Sequence, residues 1–179
     1  MHTQTMKLNT AVKEAIMAND MPWFISDKTT DNYNGDNNTE DFPQLTHCIY
    51  DVMYNGEGKN KLAEPIMRDL KNEFDIKKFI RIKLNLLLRS NQAVGKWHIP
   101  HVDQDIPHKV CIVYLNKSDG DTILFNEQYE QGVNKTEFSV QHRITPEEDK
   151  ALLFDGKQYH ASCSPIKSNK RVVLNVDYD

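Results

Sequence analysis

KKFIRIKLNLLLRS (77–90), HKVCIVYLN (108–116), DTILFNE (121–127), EFSVQHRIT (137–145), KALLFDG (150–156) and RVVLNVDYD (171–179) are short runs dominated by aliphatic and aromatic residues. Clusters of Gly, Pro, Asn, Asp and Ser separate them, the punctuation of successive strands. Strands of this length and spacing predict a sandwich or barrel of jelly-roll character. Upstream, NKLAEPIMRDLKNEFD (60–75) sets Leu62, Ile66, Leu70 and Phe74 four residues apart, which predicts an amphipathic helix packed on an outer face of the β core. A weaker helical pattern runs through Met6, Leu8, Val12, Ala15, Ile16 and Met17. MPWFIS (21–26) and QLTHCIYDVMY (44–54) read as extended, and DKTTDNYNGDNNTEDFP (27–43) as an exposed loop carrying no core. The expected class is mainly β (α+β) in a single domain over 1–179, with 1–75 an N-terminal extension and supporting helix and 76–179 the core.

Composition narrows the function. The 179 residues are 39% hydrophobic and 27% charged, enough to bury a core without disulfides. A net charge of -4 gives no general attraction to nucleic acid or anionic membrane. No apolar run approaches the ~18 residues of a membrane span, and the amino terminus lacks the apolar core of a signal peptide, so a cytoplasmic protein is expected. Cys48, Cys111 and Cys163 are odd in number and lack metal-knuckle spacing; free, reduced thiols are expected.

The chemistry concentrates in WHIPHVDQD (97–105) and in two segments downstream of it. His101 and Asp103 are two residues apart, so an extended chain projects both from one face. His160, in DGKQYHASCSP (155–165), follows an apolar strand and a Gly turn, where a closed β fold can bring it to the pair. Two imidazoles and one carboxylate on one face form the donor set of non-haem iron(II), with open positions left for oxygen chemistry. Arg171 comes eleven residues after His160, following a polar turn that is expected to return the chain as a hairpin. Its planar fork suits a carboxylate in a bidentate pair.

Together, HVD (101–103), LLFDGKQYHAS (152–162) and SNKRVVLNVDY (168–178) resemble the 2-oxoglutarate and iron(II)-dependent oxygenase superfamily. RIKLNLLLR (81–89), IVYLNKSDGDTILFNE (112–127) and ITPEEDKALLFDGKQYHAS (144–162) resemble the small phage-type members of its prolyl-hydroxylase-like branch. The resemblance covers about 76–179 and implies a double-stranded β-helix core. It also implies iron(II) on His101, Asp103 and His160, 2-oxoglutarate on Arg171, and dioxygen as the oxidant, with ascorbate as a reductant. Asn85, Tyr114 and Asn175 are further cosubstrate contacts by the same resemblance, and Thr122 begins the strand after the Gly turn. The implied activity is hydroxylation of a peptide, nucleobase or small metabolite with release of succinate and carbon dioxide. SDGDT (118–122) departs from the two glycines and glutamate common in prolyl hydroxylases, which argues against a prolyl substrate.

Leu86, Ile112, Phe125 and Phe154 are expected to wall the pocket. His98, out of phase with Asp103, is expected at the surface or behind the ligands, His108 and His142 facing solvent, Trp97 in packing, Asp105 solvated, and Asp155 and Lys157 in a turn. Two other classes compete: a cupin-like barrel that binds metal or ligand without turnover, and a virion-associated structural protein.

Overall fold

Alternation along RIKLNLLL decides how the layers form. In the computed structural model, which describes residues 1–30, 41–54 and 60–179, β4 (Phe79–Leu88) turns Ile82, Leu84 and Leu86 toward the helices and Arg81, Lys83, Asn85 and Leu87 toward the interior between two sheets. The other strands are β1 (His2–Thr5), β2 (Phe24–Ser26), β3 (Gln44–Asp51), β5 (Lys109–Tyr114), β6 (Thr122–Gln128), β7 (Val140–Ile144), β8 (Lys150–Asp155), β9 (Gln158–Ser162) and β10 (Lys170–Tyr178). They form a seven-stranded sheet, β1-β8-β5-β10-β4-β3-β2, and a three-stranded sheet, β7-β6-β9, antiparallel throughout. From β5 onward the chain passes repeatedly between the sheets, the winding of a jelly roll.

Two helices cover the outer face of the large sheet: α1 (Thr10–Met17) and α2 (Ala63–Glu73). Pro65 is tolerated because it falls in the first turn of α2, where backbone N–H groups have no helical acceptor. The Asn9 side chain caps α1 by accepting from Ala11 N at 3.0 Å, and Asn9 N donates to Asp69 of α2 at 2.7 Å. Ile66 and Leu70 of α2 join Ile82, Leu84, Leu174 and Val176 in the main core. Ile66 is fully buried, so Ile66→Ala is expected to cost about 2–5 kcal/mol in a urea melt; a loss below about 1 kcal/mol would mean that the site is not packed as described.

β1, β2 and β3 show that residues 1–75 supply strands to the large sheet as well as the supporting helix. MPWFIS forms a strand only at Phe24–Ser26, since Pro22 lacks the ladder donor. Residues 31–40 of the polar loop lie outside the described residues. The three cysteines are free, Cys111 and Cys163 buried and Cys48 exposed. No helix among the described residues is long and apolar enough to cross a membrane.

Candidate metal centre

His101 and His160 are held as a cross-strand pair. Their backbones exchange two hydrogen bonds of 2.9 Å, which sets the ring centroids 4.6 Å apart. The pairing ends there: Pro100 and Pro107 bracket a stretch of bends, so HVD is not the regular strand its spacing suggests. Asp103 still turns to the same side, and one ligand atom from each of His101, Asp103 and His160 lies within 4.8 Å of the others. His101 Nδ1 lies 2.8 Å from the Ile99 carbonyl. That contact assigns the ring proton to Nδ1 and leaves the Nε2 lone pair for a cation. His160 Nε2 is 3.3 Å from Asp103 Oδ2, with the Phe154 ring packed against the imidazole at 5.0 Å.

Asp103 is oriented by residues that no sequence motif singles out. Register places Arg81 of β4 opposite Asp177 of β10, and Lys83 opposite Asn175. Arg81 donates to Asp103 Oδ1 at 2.5 Å and to Asp177 Oδ2 at 3.0 Å, and the Asn175 amide donates to both Asp103 oxygens at 3.2–3.3 Å. Asn175 therefore steadies the Asp103 carboxylate. Burial opposes ionisation of Asp103, but Arg81 and His160 outweigh it and hold the carboxyl well below its usual range. Asp177 shares the same guanidinium, and burial together with the Asp103 charge pushes it up instead.

Beyond His101, Asp103 and His160 a recess of about 40 Å³ runs inward, lined by Asn85, Leu87, Ile112, Thr122, Val173 and Arg171 among others. Arg171 is buried, and burial pushes its pKa down. It donates to Thr122 Oγ1 at 2.7 Å, lies over the Tyr114 ring at 5.9 Å, and its Nε has no partner. Tyr114 donates to the same Thr122 hydroxyl at 2.9 Å, so it stands behind Arg171 instead of lining the recess. Asn85 Oδ1 is also buried without a partner.

Arg171 arrives by an arch, not the hairpin expected from its spacing, because β9 and β10 belong to different sheets. SDGDT locks that arch. Asp119 accepts from the backbone of Ile166, Lys167 and Ser168 at 2.8–3.2 Å; these bonds outweigh its desolvation and hold its carboxyl far below the usual range. A Cβ on Gly120 would sit 2.4 Å from the Cys163 carbonyl, so this position needs glycine for a close approach.

Several expectations change. Of the expected walls only Ile112 lines the recess: Leu86 is out of phase with Asn85 and Leu87 and faces the helices, Phe125 packs on Trp97 and Phe138 outside the small sheet, and Phe154 sits against His160. His98 is buried, 3.0 Å from Ser164 Oγ and 3.1 Å from Asp41 Oδ1. Although this resembles a nucleophile triad, Ser164 is only 4% exposed and out of a substrate's reach; Ser164 and His98 instead pin Asp41, and through it Thr29, to the arch. His108 is buried beneath Gly156 rather than facing solvent. Trp97 is packed, Asp105 and His142 are exposed, and Asp155 and Lys157 form a turn closed by Lys157 N to Asp155 Oδ1.

Burial, with the neighbouring His160, pushes His101 down to about 4 from 6.5. The unfolded chain therefore binds more protons at this residue between those values, and its contribution to stability is lost as pH falls through that window. Melts of chelator-treated protein should show wild type losing more stability than His101→Gln between pH 6.5 and 4. Parallel profiles would mean that His101 is not desolvated.

No protein-family profile matches the chain, and no curated protein matches it. Solved structures do. A 2OG-Fe(II) oxygenase family oxidoreductase from Burkholderia pseudomallei superposes with a TM-score of 0.54 at 12% identity, over 94% of this chain and 76% of that one. A Pseudomonas putida prolyl-4-hydroxylase gives 0.53 at 14%, over 99% and 91%. A Trichoplax adhaerens prolyl hydroxylase in complex with a hypoxia inducible factor oxygen degradation domain peptide fragment gives 0.56 at 13%, over 99% and 83%. At such identities the likeness establishes the fold, the jelly roll of the 2-oxoglutarate oxygenases.

Proposed function

We propose that this protein is an iron(II)- and 2-oxoglutarate-dependent dioxygenase that hydroxylates a substrate and releases succinate and carbon dioxide. One observation carries the reading: a buried His-Asp-His donor cluster opens onto a recess that contains a buried arginine with no ion-pair partner among the described residues. The donor set fits iron(II). The recess fits an acid, because a buried guanidinium without a counter-charge is costly to keep unless a ligand supplies one. A divalent cation, Asp103 and Arg171 together leave an excess of positive charge, which a dicarboxylate bridging ion and guanidinium would neutralise.

When bound, iron with 2-oxoglutarate and dioxygen supplies the oxidising power; the chain supplies placement. His101 and His160 offer ring nitrogens, while Arg81 occupies Asp103 Oδ1, the Asn175 amide donates to both Asp103 oxygens, and Oδ2 faces His160 Nε2 at 3.3 Å. Arg171, steadied by Thr122, would hold the distal carboxylate, with Leu87, Ile112 and Val173 shielding it from water. Asn85 adds an unpartnered amide oxygen to the wall. Membership of the prolyl-hydroxylase-like branch, of its small phage-type members, and a cytoplasmic setting are parts of this proposal and rest on the sequence alone.

Purified protein given iron(II), ascorbate and 2-oxoglutarate should release succinate even without a primary substrate, and Asp103→Ala should not. Absence of both succinate and 2-oxoglutarate binding in the wild type would overturn the reading.

A further inference from the structure

The recess opens past Lys83, His101 and Asp103 into a groove of about 270 Å³. Its walls differ from those of most ligand pockets, which are largely apolar. Val102 is the one aliphatic side chain among the lining residues, and the rest are hydroxyls, Gln44, the two site residues and three cations, Lys28, Arg81 and Lys83. Arg81 is already committed to Asp103 and Asp177. Lys28 and Lys83 make no ion pair or side-chain hydrogen bond through their ammonium groups among the described residues, and the Thr46 hydroxyl, beside them, likewise has no partner. Lys83 is the less ordinary of the two. It projects inward from β4, largely shielded from water, and both desolvation and the neighbouring Arg81 push its pKa down. The Asp103 and Asp177 carboxylates act on it from a distance but are already bound by Arg81, so no counter-charge contacts the Lys83 ammonium among the described residues.

Resting on the reading of the recess as the cosubstrate site, we infer that the groove receives the primary substrate and that this substrate carries an anionic group, a carboxylate or a phosphate, held by Lys83 and Lys28 beside the metal ligands. Arg171 and Lys83 then divide the work: one takes the distal carboxylate of the cosubstrate deep in the recess, the other the acidic group of the substrate at its mouth. An apolar prolyl segment gains little from such walls, whereas a small polar acid or a phosphorylated metabolite gains charge-assisted hydrogen bonds from the lysines and hydroxyl contacts from Ser26 and Thr46. Substrate choice would then follow charge more than shape.

The test uses inorganic phosphate and acetate as probes, titrated calorimetrically into the full chain loaded with zinc(II), alone and with saturating 2-oxoglutarate. At least one probe should bind in both conditions; the tighter one identifies the acid type. Lys83→Met should weaken it about tenfold or more. Lys28→Ala, an exposed change that leaves the interior intact, should weaken it several-fold, and both variants should keep 2-oxoglutarate affinity within about twofold of wild type. Arg171→Met should do the opposite. The inference is overturned if neither probe binds, if saturating 2-oxoglutarate displaces the probe, or if Lys83→Met weakens 2-oxoglutarate as much as Arg171→Met does. Failure of wild type to bind 2-oxoglutarate sinks the cosubstrate reading separately, since the probe titration without it is read on its own.

Discussion

Arg171→Met is expected to weaken 2-oxoglutarate binding by more than about a hundredfold, close to 3 kcal/mol, through loss of a desolvated, charge-assisted carboxylate contact. The same substitution should leave the ligand-free protein equally stable or up to about 2 kcal/mol more stable, because it removes a buried charge that has no counter-ion and replaces it with an apolar chain of similar length. The opposed signs make the test specific. An arginine kept for architecture would lose stability on replacement, and one kept for a ligand loses affinity. Calorimetric titration of 2-oxoglutarate with a urea melt of the same preparation reads both quantities; a destabilised variant with unchanged affinity would remove Arg171 from the site.

Arg81→Leu should have the largest effect on stability. Arg81 is the shared cation of Asp103 and Asp177, whose side chains are 4% and 0% exposed, and removing it leaves two buried carboxylates facing each other. A loss of about 3–5 kcal/mol is expected, which lowers the melting temperature by roughly 10 °C or more in a chain of this size. Adding Asp177→Asn should restore much of it. A divalent ion should also stabilise the variant more than wild type, because the ion replaces the missing positive charge at Asp103 and binding to the native state alone raises apparent stability. A melting temperature within about 2 °C of wild type would show that the network is not a charge-compensating one.

The sequence made the architecture legible where its period was unambiguous. Leu62, Ile66, Leu70 and Phe74 announced α2, and each β-rich run from residue 77 onward contains an observed strand. The three residues of the candidate metal cluster and Arg171 were visible as residue types at suggestive spacings, and the fold brings them to one cavity. Arg81, Lys83 and Asp177 were missed for a definite reason. Polar residues alternating with aliphatic ones, as in RIKLN, normally mark a solvated strand face. Here that face looks into the space between the sheets, so the alternation marks the lining of the site. That β4 and β10 are central strands, where charged residues must have partners or ligands, emerges only from the sheet order of the fold. His98 escaped for a different reason: its partners Asp41 and Ser164 lie 57 and 66 residues away, beyond the reach of any local pattern. The arch before β10 looked like a hairpin because turn residues signal a reversal without saying which sheet the chain enters next.

The most direct test of the account is anaerobic titration of iron(II) into the apo protein with 2-oxoglutarate, tracking the weak visible metal-to-ligand charge-transfer absorption in wild type and in Asp103→Ala. The account predicts a saturable band in the wild type and none in the variant at the same concentrations. No band in the wild type, or an equal band in both, would contradict it.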